Sequence, residues 1–292
     1  MAVYAPRGWE PPDYDPDYEP DIREYEEERP RDAVVDQAKD AIRAFFEREQ
    51  GNVFYKQQLE VIFEEQFFHW VTSRALSELA AEGHIAEEAE ELPGIGVIKL
   101  YHATTHRYWR RQGKELIALV GRFSTPGFTA GLGAQGELMF DAALPTVGFL
   151  PAGRKVRAYG DRVWNHTAHD LDRVFVRDGI AYGTEIKNTL KYIPRDELTV
   201  KIRMCNHLGL RPLFIVRAAA KSYINEVRLV GGFTLVFKYQ LYPFGQKPFA
   251  DEVRATLRLP VDSPGRIADG TVQRFLNWHV RTLGGEEVRP QT

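Results

Sequence analysis

Cysteine is nearly absent from this sequence: Cys205 is the only one in 292 residues. A single thiol excludes an intrachain disulfide and any zinc site built on several cysteines. No apolar run approaches the ~18 to 20 residues that cross a bilayer, so no membrane partner is expected. The opening MAVYAPRGWEPP has no apolar stretch of the kind that directs secretion. A cytoplasmic protein is the expectation. Neither charge sign dominates, with a net of −3, while 43% of residues are hydrophobic and 12% aromatic. That composition indicates a folded chain, with room for one large domain or two modest ones.

The small net charge hides a gradient. Residues 1–32 carry eleven acids against four bases, residues 33–112 thirteen against nine, and residues 113–292 seventeen against twenty-five. Only the last part, at +8, has the sign of a nucleic-acid surface. Prolines at 6, 11, 12, 16, 20 and 30 remove backbone donors from the most acidic part. Dense like charge opposes a packed core there, so 1–32 is expected to be a disordered acidic tail. It is either a solvated leader or a strip that covers a basic groove, in an autoinhibitory way, or docks on a partner.

Residues 33–112 read as a small domain. Val34, Ala38, Ile42 and Phe45/Phe46 recur at helical spacing. A short helix around Leu59, Ile62 and Phe63 follows, then one from about Phe67 to Glu82, capped by Gly83. His84–Ala86 and Gly96–Tyr101 read as strands around a presumed wing, Glu87–Gly94. Three helices and a hairpin resemble a winged helix-turn-helix. If the third helix reads DNA, His69, Thr72, Ser73 and Arg74 are its outward residues. The acidic wing repels phosphates, and such modules also serve dimerisation or protein docking, so both uses stay open. Beyond it, His106–Arg111 mixes bases with Trp109. That mixture either stacks on a nucleic-acid strand or ends a helix in solvated arginines, before a Gly- and Pro-containing connection to residue 130.

Residues 113–292 are organised around HDLDRVFVRDGIAYGTEIKN, His169 to Asn188. The first run alternates with period two, placing Asp172, Val174 and Val176 on one side and Leu171, Arg173 and Phe175 on the other. Asp178-Gly179 tolerates the positive φ of a tight hairpin turn. Ile180–Lys187 then returns antiparallel, with Glu185 and Lys187 on a common face. Two carboxylates and a lysine converging at a sheet edge have the chemistry to bind a divalent metal and activate water. Before the hairpin lie a helix over 134–147, with Glu137 on its first turn, and a basic strand over Arg154–Tyr159. After it come the loop Asn188–Tyr192 and a helix with Leu198, Ile202, Cys205 and Leu208 on one stripe, leaving Lys201 and Arg203 off it. Then follow a buried strand over Pro212–Val216, a helix over Ser222–Val230, a strand over Phe233–Tyr239, and a last helix around Val272, Phe275, Leu276 and Val280.

That order, across residues 130–240, resembles the PD-(D/E)xK nuclease superfamily, whose restriction-endonuclease-like fold flanks a mixed central sheet with helices. The family's hairpin acid matches Asp172, its acid-x-lysine matches Glu185 and Lys187, and its helical acid matches Glu137. Leu171 stands where the family's proline would precede the acid. The resemblance implies an α/β nuclease domain with Mg²⁺, or Mn²⁺, held by Asp172, Glu185 and the Ile186 carbonyl. Lys187 would orient water and stabilise developing charge, with Glu137 reaching the metal directly or through water. His169, Asp170 and Asn188 would line the cleft. A competing constellation, His166, His169, Asp170 and Asp172, has the ligand types for Zn²⁺ or Mn²⁺. Arg154, Lys155, Arg157, Arg173, Lys191, Lys201 and Arg203 are the expected phosphate contacts, with Arg74 from the first domain. A DNA endonuclease is the leading expectation, with homodimers plausible because cutting both strands needs two sites. The alternative is a non-catalytic DNA-binding or adaptor protein on the same fold.

Overall fold

The computed structural model describes residues 32–284; the acidic segment discussed above, up to residue 31, lies outside them. Asp32 caps α1 (Ala33–Arg48), its side chain accepting from the Val34 amide at 3.0 Å. The buried stripe of α1 starts at Val35 rather than the expected Val34, which is exposed. β1 (Val53–Tyr55) follows, then α2 (Lys56–Ile62), α3 (His69–Ala81), β2 (Ile85–Leu92) and β3 (Gly96–Ala103). The strands form an antiparallel sheet in the order β1-β3-β2. β1 has too few residues to show a period. The run Glu87–Glu91, expected as a wing, is strand: it pairs residue by residue with Val97–Tyr101. Thr72 is buried in α3, so it is not one of its outward residues.

The stretch read as a connection holds α4 (Trp109–Phe123) and the start of α5 (Pro126–Ala143). α5 is the helix expected over 134–147; it begins eight residues earlier and so places Glu137 in its interior and not on its first turn. α4 buries Leu116, Ile117, Leu119, Val120 and Phe123. Thr125 and Pro126 then start α5, with the Thr125 hydroxyl accepting from Phe128 N. One core runs across position 112, joining Val53, Tyr55, Ile98 and Leu100 to these α4 residues and to Ala250, Val253 and Leu257.

The remaining elements are β4 (Leu150–Val156), the small pair β5 (Ala158–Tyr159) and β6 (Arg162–Val163), β7 (Leu171–Arg177), β8 (Ile180–Lys187), α6 (Arg195–Leu208), β9 (Arg211–Val216), α7 (Lys221–Leu229), β10 (Phe233–Val236), β11 (Gln240–Leu241), α8 (Lys247–Leu257), β12 (Val261–Asp262) and α9 (Asp269–Leu283). A mixed sheet in the order β10-β9-β8-β7-β4 forms the centre. β4, β7 and β8 are antiparallel neighbours, while β8, β9 and β10 run parallel. Period-two alternation sorts its side chains except at Leu171, which, expected beside Arg173 and Phe175, shares the α6 face with Val174. Phe175, Tyr182, Ile186, Leu213 and Ile215 pack on α5 and α9, through Met139, Phe140, Phe275 and Trp278. Leu171 and Val174 pack on Met204, Cys205 and Leu208 of α6, while Phe214 and Val216 meet Leu198, Ile202 and Tyr223. Among the described residues no helix is long and apolar enough to cross a membrane.

Candidate active site

The hairpin turns where the sequence signals it. Asp178 and Gly179 adopt φ of +50° and +74°, the left-handed pair that suits the twist of two antiparallel strands. The register that follows pairs Arg173 with Thr184, which brings Asp172 opposite the end of β8. There the Ile186 amide donates to Asp172 Oδ2 at 2.8 Å. Glu185 is 2% exposed, on the sheet face that α6 covers. Lys187 Nζ stands 2.8 Å from Glu185 Oε1 and 2.8 Å from Glu197 Oε1. Asp172, Glu185 and Lys187 therefore meet.

The electrostatics of this group follow from burial. Burial first, and the Glu185 charge second, push the Asp172 carboxyl up to about 6; the Ile186 hydrogen bond and the two lysines act against the rise. Burial opposes the charge on Lys187, but Glu185 and Glu197 outweigh it and raise its pKa.

Other expected site residues lie elsewhere. Glu137 projects from α5 onto the opposite sheet face, where its Oε2 takes Arg173 Nη2 at 2.8 Å. It does not join the Asp172 group, because Arg173 alternates with Asp172 and points to α5. Arg173 itself is 2% exposed and bidentate on Asp141, so it is not a phosphate contact. Lys201 is also buried: it ion-pairs with Glu185 Oε2 at 2.5 Å and donates to the Asp170 carbonyl. Asn188 is a buried tie and not a cleft residue. Its amide donates to the Leu132 and Leu241 carbonyls at 2.7 Å each, and its oxygen accepts from Leu241 N at 2.6 Å. Gly136 makes room for it, since a Cβ there would stand 2.6 Å from Asn188 Cβ.

His169 is exposed, its Nδ1 3.0 Å from Thr167 Oγ1. His166 packs instead against Trp164 and His207. Among the described residues no group of three or more His, Cys, Asp or Glu is arranged to hold a metal, so the separate histidine–aspartate site is not assembled. For Mg²⁺ the donor types fit: Asp172 and Glu185 supply hard oxygens, and this ion commonly takes one or two carboxylates plus substrate phosphate. The raised Asp172 carboxyl marks a place where added positive charge is favourable.

Arg154, Lys155, Arg157, Lys191, Arg203 and Arg74 are exposed. Lys191 lines a cleft of about 1180 Å³ between α2, α3 and the segment 190–195 that follows β8. His69, Ser73 and Arg74 line its other wall, and Phe68 stacks on Tyr192 with ring centroids 5.5 Å apart. Residue reasoning missed Asp141, Glu197 and a site role for Lys201. The available signal was helical spacing: Asp141 lies four residues after Glu137, and Lys201 four after Glu197.

No protein-family model, curated protein or solved structure matches this chain.

Proposed function

We propose that the chain is a metal-dependent nuclease that hydrolyses phosphodiester bonds of DNA, acting as an endonuclease. The observation that carries this reading is the meeting of Asp172, Glu185 and Lys187 at the end of the β7–β8 hairpin. Supporting it, the element order α5, β4, β7, β8, α6, β9 around a mixed sheet follows the order of the PD-(D/E)xK resemblance. Asp172 and Glu185 would hold Mg²⁺ or Mn²⁺, with the Ile186 carbonyl a candidate third oxygen. Such an ion, when bound by these residues, would supply a more acidic water and a polarised phosphate. Lys187, clamped between Glu185 and Glu197, is already oriented, so it can position the attacking water and offset charge on the transition state without reorganising.

Residues 33–103 fit a winged-helix-like module, with α3 presenting Ser73 and Arg74 to the cleft. The acidic strand β2 favours a protein partner, or a second copy, on that side of the module. DNA would enter along the basic C-terminal part, whose exposed arginines and lysines suit phosphate contacts.

One observation favours a second reading, a DNA-binding or adaptor protein without catalysis. Both Glu185 oxygens already face lysines. Cleavage assays separate the two. Plasmid, linear and single-stranded DNA are incubated with Mg²⁺ or Mn²⁺ and either wild type or Lys187→Ala. Cutting by wild type alone is expected. Failure of both proteins on every substrate and ion sinks the enzyme reading, while cutting by both clears Lys187 of a role.

A further inference from the structure

Glu185 is gripped by two lysines of different origin. Lys187 follows it on the same strand, whereas Lys201 comes from the middle of α6. The Lys201 side chain is 5% exposed, and its Nζ lies 2.5 Å from Glu185 Oε2. A second bond, to the Asp170 carbonyl, fixes the ammonium from the other side. Surface lysines keep their ammonium in water, whereas this one is buried against the sheet. One helical turn earlier on α6, Glu197 takes Lys187. α6 therefore contributes one charge of each sign to the site.

We propose that Lys201 is a positioning residue that acts as a permanent second cation on Glu185, so that the site accepts one divalent ion and not two. The proposal rests on the nuclease reading and states what that site can hold. Asp172, Glu185 and Glu197 with Lys187 and Lys201 carry a net charge of −1 when all are ionised. One divalent ion takes the group to +1, which the single negative charge of a phosphodiester cancels. A second ion would leave +3 around a largely buried hairpin, and uncompensated buried charge is strongly unfavourable. Ligand supply points the same way. A two-ion site needs carboxylate oxygens to share between ions about 3.5–4 Å apart. Here Lys201 stands on Glu185 Oε2 and the Ile186 amide holds Asp172 Oδ2, so a first ion that displaces Lys187 from Glu185 Oε1 leaves no free carboxylate oxygen of this pair to share with a second.

The test counts bound ions on the full chain without DNA, by Mn²⁺ titration followed through the electron paramagnetic resonance of the free ion. Wild type is expected to bind one Mn²⁺, and Lys201→Arg, which keeps the charge, also one. Lys201→Met removes the charge at similar volume and is expected to bind two ions, or one at least tenfold more tightly. Asp172→Asn is expected to abolish binding in each background, which places the ion at this site. Two ions on wild type, or the same number and affinity for Lys201→Met as for wild type, overturns the proposal and leaves the nuclease reading standing. Binding by Lys201→Met with none by wild type also overturns it, because Lys201 would then replace the ion altogether. No binding by either removes the metal reading of the site itself. Circular dichroism melts verify that each variant is folded, and Lys201→Gln serves if the Met variant is not.

Discussion

Arg173 and Asp141 form a bidentate pair, Nε to Oδ1 at 2.7 Å and Nη2 to Oδ2 at 2.8 Å, that pins β7 to α5. The guanidinium is buried while both acids it meets, Asp141 and Glu137, are partly open to water. Arg173→Ala leaves two facing carboxylates without their cation. The expected loss is about 3 kcal/mol, the low end for breaking a buried pair because the acids can still hydrate. Urea unfolding measures it. DNA affinity of the folded variant should keep the wild-type salt dependence, which would not hold if Arg173 touched phosphate.

Asp172 makes stability depend on pH in the direction opposite to most aspartates. Its folded value of about 6 lies above its ordinary 3.8, so the folded state binds its proton more tightly than the unfolded chain does. The stabilising contribution is full below the ordinary value and is lost as pH rises through 6. Asp172→Asn, which stays neutral, should therefore be more stable than wild type at pH 8 by about 3 kcal/mol, a gap that has mostly closed by pH 4. Thermal melts in a metal chelator at both pH values measure the difference. A constant gap across that range would contradict the burial argument.

The hairpin was readable because its signals are local. Asp178-Gly179 sets the turn, and alternation from Asp172 to Phe175 places Asp172 and Arg173 on opposite faces, although Leu171 departs from it and joins Val174 on the α6 side. What alternation does not tell is which helix covers which face. Glu137 looked like a site acid because α5 precedes the hairpin, but α5 packs on the Arg173 side. Lys201 looked solvated because a stripe through Leu198, Ile202 and Cys205 leaves it beside the apolar face. In three dimensions that flank of α6 lies over Glu185. α4 was hidden by its polar first turns, WRRQGKE, although its later residues carry a clear apolar stripe.

Asn188 concentrates the join between α5, the end of β8 and β11. Its three hydrogen bonds satisfy two carbonyls and one amide, all reached from one buried side chain. Asn188→Ala strands those groups away from water, with an expected loss of about 3 kcal/mol from unpaired buried polar groups. Gly136→Ala should lose a similar amount, because its Cβ would meet Asn188 Cβ at 2.6 Å between two packed elements. The double variant of Gly136→Ala with Asn188→Gly should lose much less than the sum of those two singles, since only glycine at 188 removes the Cβ that the new methyl meets. Denaturant unfolding of the two singles and the double measures this, and strict additivity would mean that the two positions do not share a contact.

Binding and chemistry should separate at two lysines four residues apart. Lys187 is engaged by Glu185 and Glu197, so its charge is already spent inside the cluster and releases few counterions from DNA. Lys191 is exposed on the wall of the cleft between α3 and the 190–195 segment. Lys191→Ala should weaken DNA binding severalfold for every sequence and reduce the slope of log affinity against log salt by about 0.9 on duplex. Its cleavage rate at saturating DNA should match wild type. Lys187→Ala should do the reverse, keeping affinity and salt slope while losing cleavage by about two orders of magnitude or more, the scale of a lost charge-stabilising donor. Fluorescence anisotropy over a salt series and single-turnover cleavage supply the two readouts. An unchanged slope for Lys191→Ala would mean that DNA does not pass through this cleft. It would leave the path to the exposed bases Arg154, Lys155 and Arg157, on and just beyond β4 at the edge of the sheet.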